Sequence, residues 1–217
     1  FMLIYVFMFG YVFKSKQQYF AIFVFIGITL WDFFNKSLIQ SVKLIKANKP
    51  IVSKVYIPKF ILILVKMGVN GFKMFISLLI IVAMLAVWRV PITYNVIYII
   101  PILMTLIVLV FGFSCFLLHY GVFVEDLSNV LNIALRFLFY LTGIFWNIMD
   151  RLPAPYNSYI GRCNPIAFLL TSARDCVIYG STPHRKLLLL WFVIGLIISA
   201  LGVRKIYKNE NSYVKVI

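Results

Sequence analysis

The chain has few charged side chains and very few acids. Charged residues make up 12% of its 217 positions, and 6 Asp and Glu stand against 21 Lys and Arg, with only 2 His. A soluble domain usually carries about 25% charged residues, so an ordinary soluble domain is excluded. The scarcity of acids and histidines also leaves little material for the acid–base pairs that a membrane enzyme would need.

Cysteine is scarce as well. The 3 cysteines show no metal-ligand spacing. Cys115 lies within an apolar run, which favours a small core residue. Cys163 and Cys176 would lie about 20 Å apart on a continuous helix, well beyond the Cα separation of about 7 Å that a disulfide allows. We therefore predict neither a disulfide nor a metal site.

The chain also lacks a phosphate-binding loop. Gly68–Met74, GVNGFKM, has neither the spacing nor the Lys-Ser/Thr end of that motif. Glu125 and Asp126 follow His119 closely, but neighbouring residues on a helix point about 100° apart and do not naturally converge. If the protein uses ATP, another chain must hydrolyse it.

Long apolar stretches dominate what is present. Hydrophobic residues make up 63% of the chain, against about 45–50% in a soluble domain. We predict an all-α, polytopic membrane helix bundle of six spans within a single domain, 1–217. Because the sequence begins midway through an apolar run, we expect a preceding segment and a truncated first span. The predicted spans are Phe1–Phe13, Tyr19–Leu38, Phe60–Trp88, Val96–His119, Val130–Met149 and Leu187–Val203.

The segment Ser41–Lys59 is basic and punctuated by proline. It alternates lysines with apolar residues, which is typical of a short interfacial helix presented to a partner, although a solvated basic loop has the same composition. With the tail Arg204–Ile217 it holds more Lys and Arg than the turns on the opposite side, so we expect both segments to be cytoplasmic. The net charge of +15 is spread along the chain. This distribution favours residues that set the orientation in the membrane and contact anionic lipid over residues that bind nucleic acid.

Besides Lys36 near the end of the second span, three Lys or Arg residues lie within predicted spans. Lys66 and Lys73 follow one face of the third span, and Arg136 lies in the fifth. Lys66 can extend its ammonium group to the loop side, whereas Lys73 and Arg136 can either do the same or face a water-filled pathway. Tyr140, one turn after Arg136, is a further candidate pathway residue.

The stretch Gly161–Gly180, GRCNPIAFLLTSARDCVIYG, is too short to span a membrane. Asn164 is a favourable N-cap, Pro165 suits a first helical turn and Gly180 suits a helix stop. The 15 residues between caps give about 22 Å of helix, against about 30 Å of hydrocarbon. We predict a helix that dips into one leaflet, within an outward re-entrant segment, 150–186. An amphipathic helix lying flat on the surface is the alternative.

This short helix has a polar edge. Thr171, Arg174 and Asp175 are spaced i, i+3 and i+4 and therefore share a face. Because Arg174 and Asp175 need water or a partner, we expect that face to look toward a pathway or the outer surface.

Three motifs lie at particular places between the predicted spans. Asn48–Lys59, NKPIVSKVYIPK, follows the second span, and Phe123–Leu127, FVEDL, precedes the fifth; Asn164-Pro165, Arg174 and Gly180 precede the last. In this order they resemble the motifs of type-2 ABC exporter permeases, particularly the group that exports bacterial polysaccharides such as O-antigen, capsule and teichoic acid. The family has an Arg-Asp pair at the second of these places, and Glu125 replaces its arginine. The resemblance covers nearly the whole chain but lacks the family's cytoplasmic N-terminal segment.

The resemblance implies a homodimer with two separate ATPase subunits, which would bind the ATP and Mg, moving a lipid-linked glycan across the bacterial plasma membrane. This chain itself would bind no cofactor. A drug or small-lipid exporter is one alternative, and a membrane-embedded transferase or hydrolase is another. The residues expected to contact the ATPase are Asn48, Pro50, Ile51, Lys54, Val55, Tyr56, Pro58 and Lys59. Those expected at the substrate pathway or gate are Lys73, Arg136, Tyr140, Asn164, Pro165, Arg174, Asp175 and Gly180.

Overall fold

The computed structural model describes residues 19–52, 57–91, 93–147, 156–210 and 212–213, and all regular structure within them is helical. The all-α prediction is therefore confirmed for this part of the chain. A 3₁₀ turn, Tyr94–Tyr98, leads directly into one of the long helices. The α-helices are α1 Phe20–Val42, α2 Leu44–Ala47, α3 Lys49–Val52, α4 Lys59–Val87, α5 Ile99–Phe123, α6 Leu127–Leu141, α7 Tyr156–Cys163, α8 Pro165–Val177 and α9 Arg185–Lys208.

Four helical segments of the described chain are long and apolar enough to cross a membrane, which makes this a multi-pass membrane protein. They are α1, α4, α9 and Tyr94–Phe123, the last combining the 3₁₀ turn with α5. The predicted third span differs from α4 by one residue at each end. The predicted first span, Phe1–Phe13, lies outside the described residues.

The fifth predicted span, Val130–Met149, is wrong as a full-length span. Helix α6 ends at Leu141 and has 15 residues, or about 22 Å of helix. Gly143 adopts a φ of +69°, a left-handed conformation that commonly ends a helix. The apolar residues after Gly143 made the run appear continuous in the sequence. The described residues contain four candidate spans, so the six-span count is not confirmed.

The chain divides into two compact units, each with its own packing. The first unit comprises the described parts of Phe1–Asp32, Lys73–Leu103 and Leu138–Leu188. Its interior includes most of α8 together with Ile22 and Phe23 from the start of α1. The rings of Trp31 and Phe139 meet edge to face, with centroids 5.5 Å apart.

The second unit comprises the described parts of Phe33–Phe72, Met104–Phe137 and Leu189–Ile217. Its helices are joined by polar contacts as well as apolar packing. Asn70 on α4 donates to Ser37 Oγ on α1 at 3.1 Å, and Ser199 on α9 donates to the Val108 carbonyl on α5 at 2.9 Å. Hydrogen bonds of this kind hold helices together where apolar surfaces alone give little driving force.

Candidate functional site

The short helix α8 begins as its sequence predicts. The Asn164 side-chain oxygen accepts hydrogen bonds from the backbone N–H groups of Ile166 at 3.1 Å and Ala167 at 3.3 Å. Pro165 occupies the first helical position, where its missing N–H leaves no bond unmade. The predicted N-cap is therefore confirmed.

Helix α8 is buried on most of its circumference rather than on one face. Ala167, Leu169, Leu170 and Cys176 are each 0% exposed, and only a few side chains, Asp175 among them, remain partly exposed. A helix lying flat on a surface would leave a continuous polar face in solvent. The burial thus disfavours the surface-helix alternative, and the depth of α8 in a membrane stays a prediction.

Arg174 is buried inside the first unit. Its Nε donates to the Phe23 carbonyl at 3.0 Å, its Nη1 to the Gly143 carbonyl at 2.9 Å and its Nη2 to the Ile144 carbonyl at 2.7 Å. The prediction that Arg174 faces a pathway or the outer surface is wrong, because its partners are backbone carbonyls in the interior. The side chain instead joins α8 to the start of α1 and to the turn after α6.

The surroundings of Arg174 suit a buried cation. Gly143 and Ile144 follow the C-terminus of α6, and the C-terminal end of a helix carries partial negative charge. The guanidinium carbon also lies 3.6 Å from the centroid of the Phe23 ring, within the range of a cation–π contact. Arginine is suited to this role because its planar fork directs several donors at fixed angles.

Gly27 on α1 makes room for the guanidinium. A Cβ at this position would overlap Arg174 Nη2 and would lie 3.2 Å from a methyl carbon of Leu170. Sequence reasoning missed Gly27, Gly143 and Ile144, since two act through carbonyls and one through the absence of a side chain. The only available indication was a glycine within an otherwise bulky apolar span.

Asp175 differs from its neighbour. Its side chain is partly exposed, and burial raises the pKa of the carboxyl to about 6, while the Arg174 guanidinium lowers that pKa. The predicted polar edge is therefore split: Asp175 lies at the boundary of the unit and Arg174 lies inside it.

The chain reverses after α8 at Gly180, as predicted. Gly180 has a φ of +63°, and a Cβ there would lie 2.6 Å from Thr93 Oγ1. The Asn95 side-chain amide donates to the Gly180 carbonyl at 2.5 Å, and the Ser181 N–H donates to the Asp175 carbonyl at 2.9 Å. Helix α8 is thus held at both ends, by its own N-cap and by the segment that leads into α5.

The basic loop folds into the short helices α2 and α3 as far as Val52. Leu44 and Ile45 are buried, whereas Lys43, Lys46, Lys49 and Pro50 are exposed. Asn48 is partly exposed, and its side-chain amide donates to the Leu44 carbonyl at 2.7 Å. The predicted contact residues Lys54, Val55 and Tyr56 lie outside the described residues, and only the helical backbone is described for Ile51.

The last two predicted contact residues of this loop differ in exposure. Pro58 is partly exposed, but Lys59 is only 2% exposed and pairs with Glu210 at 3.3 Å. The prediction that Lys59 presents its charge to a partner is therefore wrong, because the ammonium group is used within the second unit.

The structure does not bring the remaining candidates to the packed interior. Lys73, Arg136 and Tyr140 have exposed side chains in this chain, and Tyr140 is 70% exposed. A substrate pathway lined by these three side chains would therefore need another molecule to cover this exposed surface. Their role in the pathway stays a prediction.

The fold and the buried arginine define a multi-pass membrane protein with a short, doubly anchored helix before its last span. No family model matches the chain. It is similar to two curated proteins from Klebsiella pneumoniae, each named O-antigen export system permease protein RfbA. They are 24% and 23% identical to it over 218 aligned residues, and each alignment covers 100% of this chain and 83% of the relative. The resemblance to polysaccharide-export permeases is thereby confirmed.

Proposed function

We propose that this chain is the permease subunit of an ATP-driven ABC exporter that moves a lipid-linked polysaccharide across the bacterial plasma membrane. The observation that carries the proposal is the similarity to two O-antigen export permeases along the whole chain. The four candidate spans fit a transport subunit. ATP hydrolysis is proposed for a partner subunit, a division of roles that the permease names of the two relatives support.

The partner is an ABC-type ATPase that holds ATP and Mg, and the permease acts as a homodimer. The basic loop, 41–59, is the cytoplasmic contact for that ATPase, and the tail, 204–217, lies on the same side. This role is supported by the exposure of the loop residues. Lys43, Lys46 and Lys49 are exposed and can contact a partner, whereas Leu44 and Ile45 are buried and hold the loop against the rest of the unit.

The re-entrant segment, 150–186, faces outward, and α8 is a gate element at the exit of the pathway. This role is supported by the anchoring of α8 at both ends. The helix is too short to span the membrane, and its anchors hold it next to the first turns of α1. Lys73 and Arg136 face the pathway of the dimer, since a basic side chain exposed to lipid at the bilayer centre costs about 2.5–3.5 kcal/mol on insertion scales. Tyr140, one turn after Arg136, is proposed as a further pathway residue.

Removing the chain tests the proposal. We expect cells that lack it to accumulate lipid-linked glycan inside and to lose glycan from the surface, and we expect the intact chain to restore export. The intracellular and surface pools are compared by extraction and by labelling of intact cells. Unchanged surface glycan in the deleted strain would refute the function.

The native cysteines allow a direct test of the orientation. Cys163 at the end of α7 is exposed, whereas Cys115 and Cys176 are buried. We expect a membrane-impermeant maleimide to label Cys163 in sealed right-side-out vesicles. In the double variant C163S/K49C we expect labelling only after the vesicles are opened, because Lys49 is exposed on the cytoplasmic loop. The reverse pattern would contradict both assignments.

The N-cap of α8 gives a prediction with a conservative control. Asn164→Leu leaves the N–H groups of Ile166 and Ala167 without their acceptor, at a cost of roughly 1 kcal/mol in water and more in an apolar site. We expect surface glycan to fall severalfold at matched protein level, while the ATPase still binds.

Asn164→Ser is the matched control, since serine also caps helices well. Leu170→Ile, which conserves volume within the same helix, should likewise have a mild effect. If the surface glycan of Asn164→Leu equals that of these two variants, the N-cap is not required for the function of the gate.

A further inference from the structure

The C-terminal segment of the second unit docks on the end of α5. The Tyr213 hydroxyl and His119 Nδ1 share a hydrogen bond at 2.8 Å, and the Tyr213 ring packs against Phe123 with centroids 6.1 Å apart. Lys205 Nζ donates to the Tyr120 hydroxyl at 2.6 Å. Tyr213 is 0% exposed. We call Phe116–Phe123 and the described part of 205–213 together the end platform.

The first end of the basic loop rests on this platform. Val42 is the last residue of α1, and the loop helices follow directly. A Cβ at Gly121 would overlap the Val42 carbonyl, so the backbone of α1 lies directly against α5 at this point. The start of the loop therefore has a fixed position relative to the end platform.

The other end of the loop is tied to the tail. Lys59 Nζ lies 3.3 Å from Glu210 Oε1 and also donates to the Ile57 carbonyl at 3.0 Å. The neighbouring Phe60 ring packs on Tyr207, with centroids 5.7 Å apart. The last residue of the loop and the residue that follows it in α4 thus both contact the tail.

The pair formed by Lys59 and Glu210 is buried, with 2% and 8% of the two residues exposed. A buried ion pair contributes little stability compared with apolar residues of the same size, but removing one partner leaves an uncompensated charge. In this unit the pair joins Lys59, the last residue of the loop and the first of α4, to Glu210 in the tail.

We propose that Glu210 and Tyr213 are positioning residues that hold the basic loop at the orientation required to couple ATP hydrolysis to export. The inference rests on the proposed function. Because both loop ends are attached to one platform, a force on the exposed lysines moves α1, α4 and α5 together. Without the tail contacts the end at Lys59 shifts independently, and hydrolysis no longer drives the helices.

The test uses the intact permease–ATPase complex in liposomes, with ATP hydrolysis and glycan export measured on the same preparation. For Glu210→Gln we expect the rate of ATP hydrolysis to stay within about twofold of that of the unmodified complex. We expect the amount of glycan exported per ATP to drop by about fivefold or more, which corresponds to a loss of about 1 kcal/mol of coupling free energy. The charge-swapped variant K59E/E210K restores a pair of opposite charges but loses the donor to the Ile57 carbonyl, so we expect it to recover only part of that ratio.

Glu125→Gln is the matched control. It neutralises an exposed carboxylate of the same unit and should leave both readouts unchanged. Tyr213→Phe removes only the hydroxyl group and keeps the ring, so it provides a second variant if Glu210→Gln fails to accumulate. We expect it to lower the export-to-hydrolysis ratio about twofold to threefold, in keeping with the modest net contribution of one hydrogen bond.

An unchanged ratio in Tyr213→Phe, or hydrolysis and export falling in parallel in Glu210→Gln, would overturn the inference, because the tail would then be structural only. If instead the unmodified complex exports no glycan with ATP, the proposed function fails, and this outcome is distinct.

Discussion

Replacing Arg174 with leucine is expected to abolish export and to reduce the amount of protein in the membrane. The change leaves the carbonyls of Phe23, Gly143 and Ile144 without the donors that they have in the interior. Each buried polar group left unpaired costs about 1–3 kcal/mol, and proteins are typically stable by only about 5–15 kcal/mol. The loss should be visible as a lower thermal unfolding temperature in detergent and as lost surface glycan.

Two further variants separate the charge of Arg174 from its geometry. Arg174→Lys keeps a cation but loses the planar fork that reaches three carbonyls, so we expect an intermediate effect. Gly27→Ala keeps the arginine but places a methyl group where Nη2 lies, and it should lower stability by displacing the guanidinium. Normal stability and export in Arg174→Leu would show that this arginine does not anchor α8.

Gly180→Val is expected to have the second largest effect. A β-branched residue is strained at a φ of +63°, and its Cβ would lie 2.6 Å from Thr93 Oγ1. The left-handed conformation alone costs roughly 1–2 kcal/mol for a residue with a Cβ, and the overlap adds to it. We expect surface glycan to fall by about tenfold or more, as a change above about 1.4 kcal/mol implies, at matched protein level.

The two contributions at Gly180 can be measured separately. Gly180→Asn tolerates the left-handed conformation better than valine but retains the overlap with Thr93. Combining it with Thr93→Ala removes the hydroxyl group and should restore part of the export. If Gly180→Val exports as well as the unmodified chain, the reversal after α8 is not part of the gate.

Local sequence patterns were enough to predict α8 and the long helices. Asn164 and Pro165 act within one helical turn of themselves, and Gly180 acts through its own backbone, so neighbouring residues reveal their roles. Helix α4 is mostly apolar, with Lys66, Asn70 and Lys73 as exceptions, and its predicted boundaries differ from the observed ones by one residue. Such features depend on short-range chemistry, which a single sequence contains.

Features that depend on distant parts of the chain could not be predicted in this way. The helical spacing placed Arg174 on a polar edge, but the carbonyls that bind it come from residues 31 and 151 positions away. Lys59 looked like one more lysine of a basic loop until its partner Glu210, in the tail, was known. In both cases the sequence shows the charge, and only the fold shows its partner.

The most direct test of the central claim is glycan translocation in inverted membrane vesicles that contain the permease and its ATPase. Labelled lipid-linked glycan is presented on the outer face of the vesicles, and protection from an added glycosidase reports entry into the lumen. We expect protection to require ATP and this chain, and to disappear with Arg174→Leu. Protection that develops equally without ATP or without the chain would contradict the proposed function.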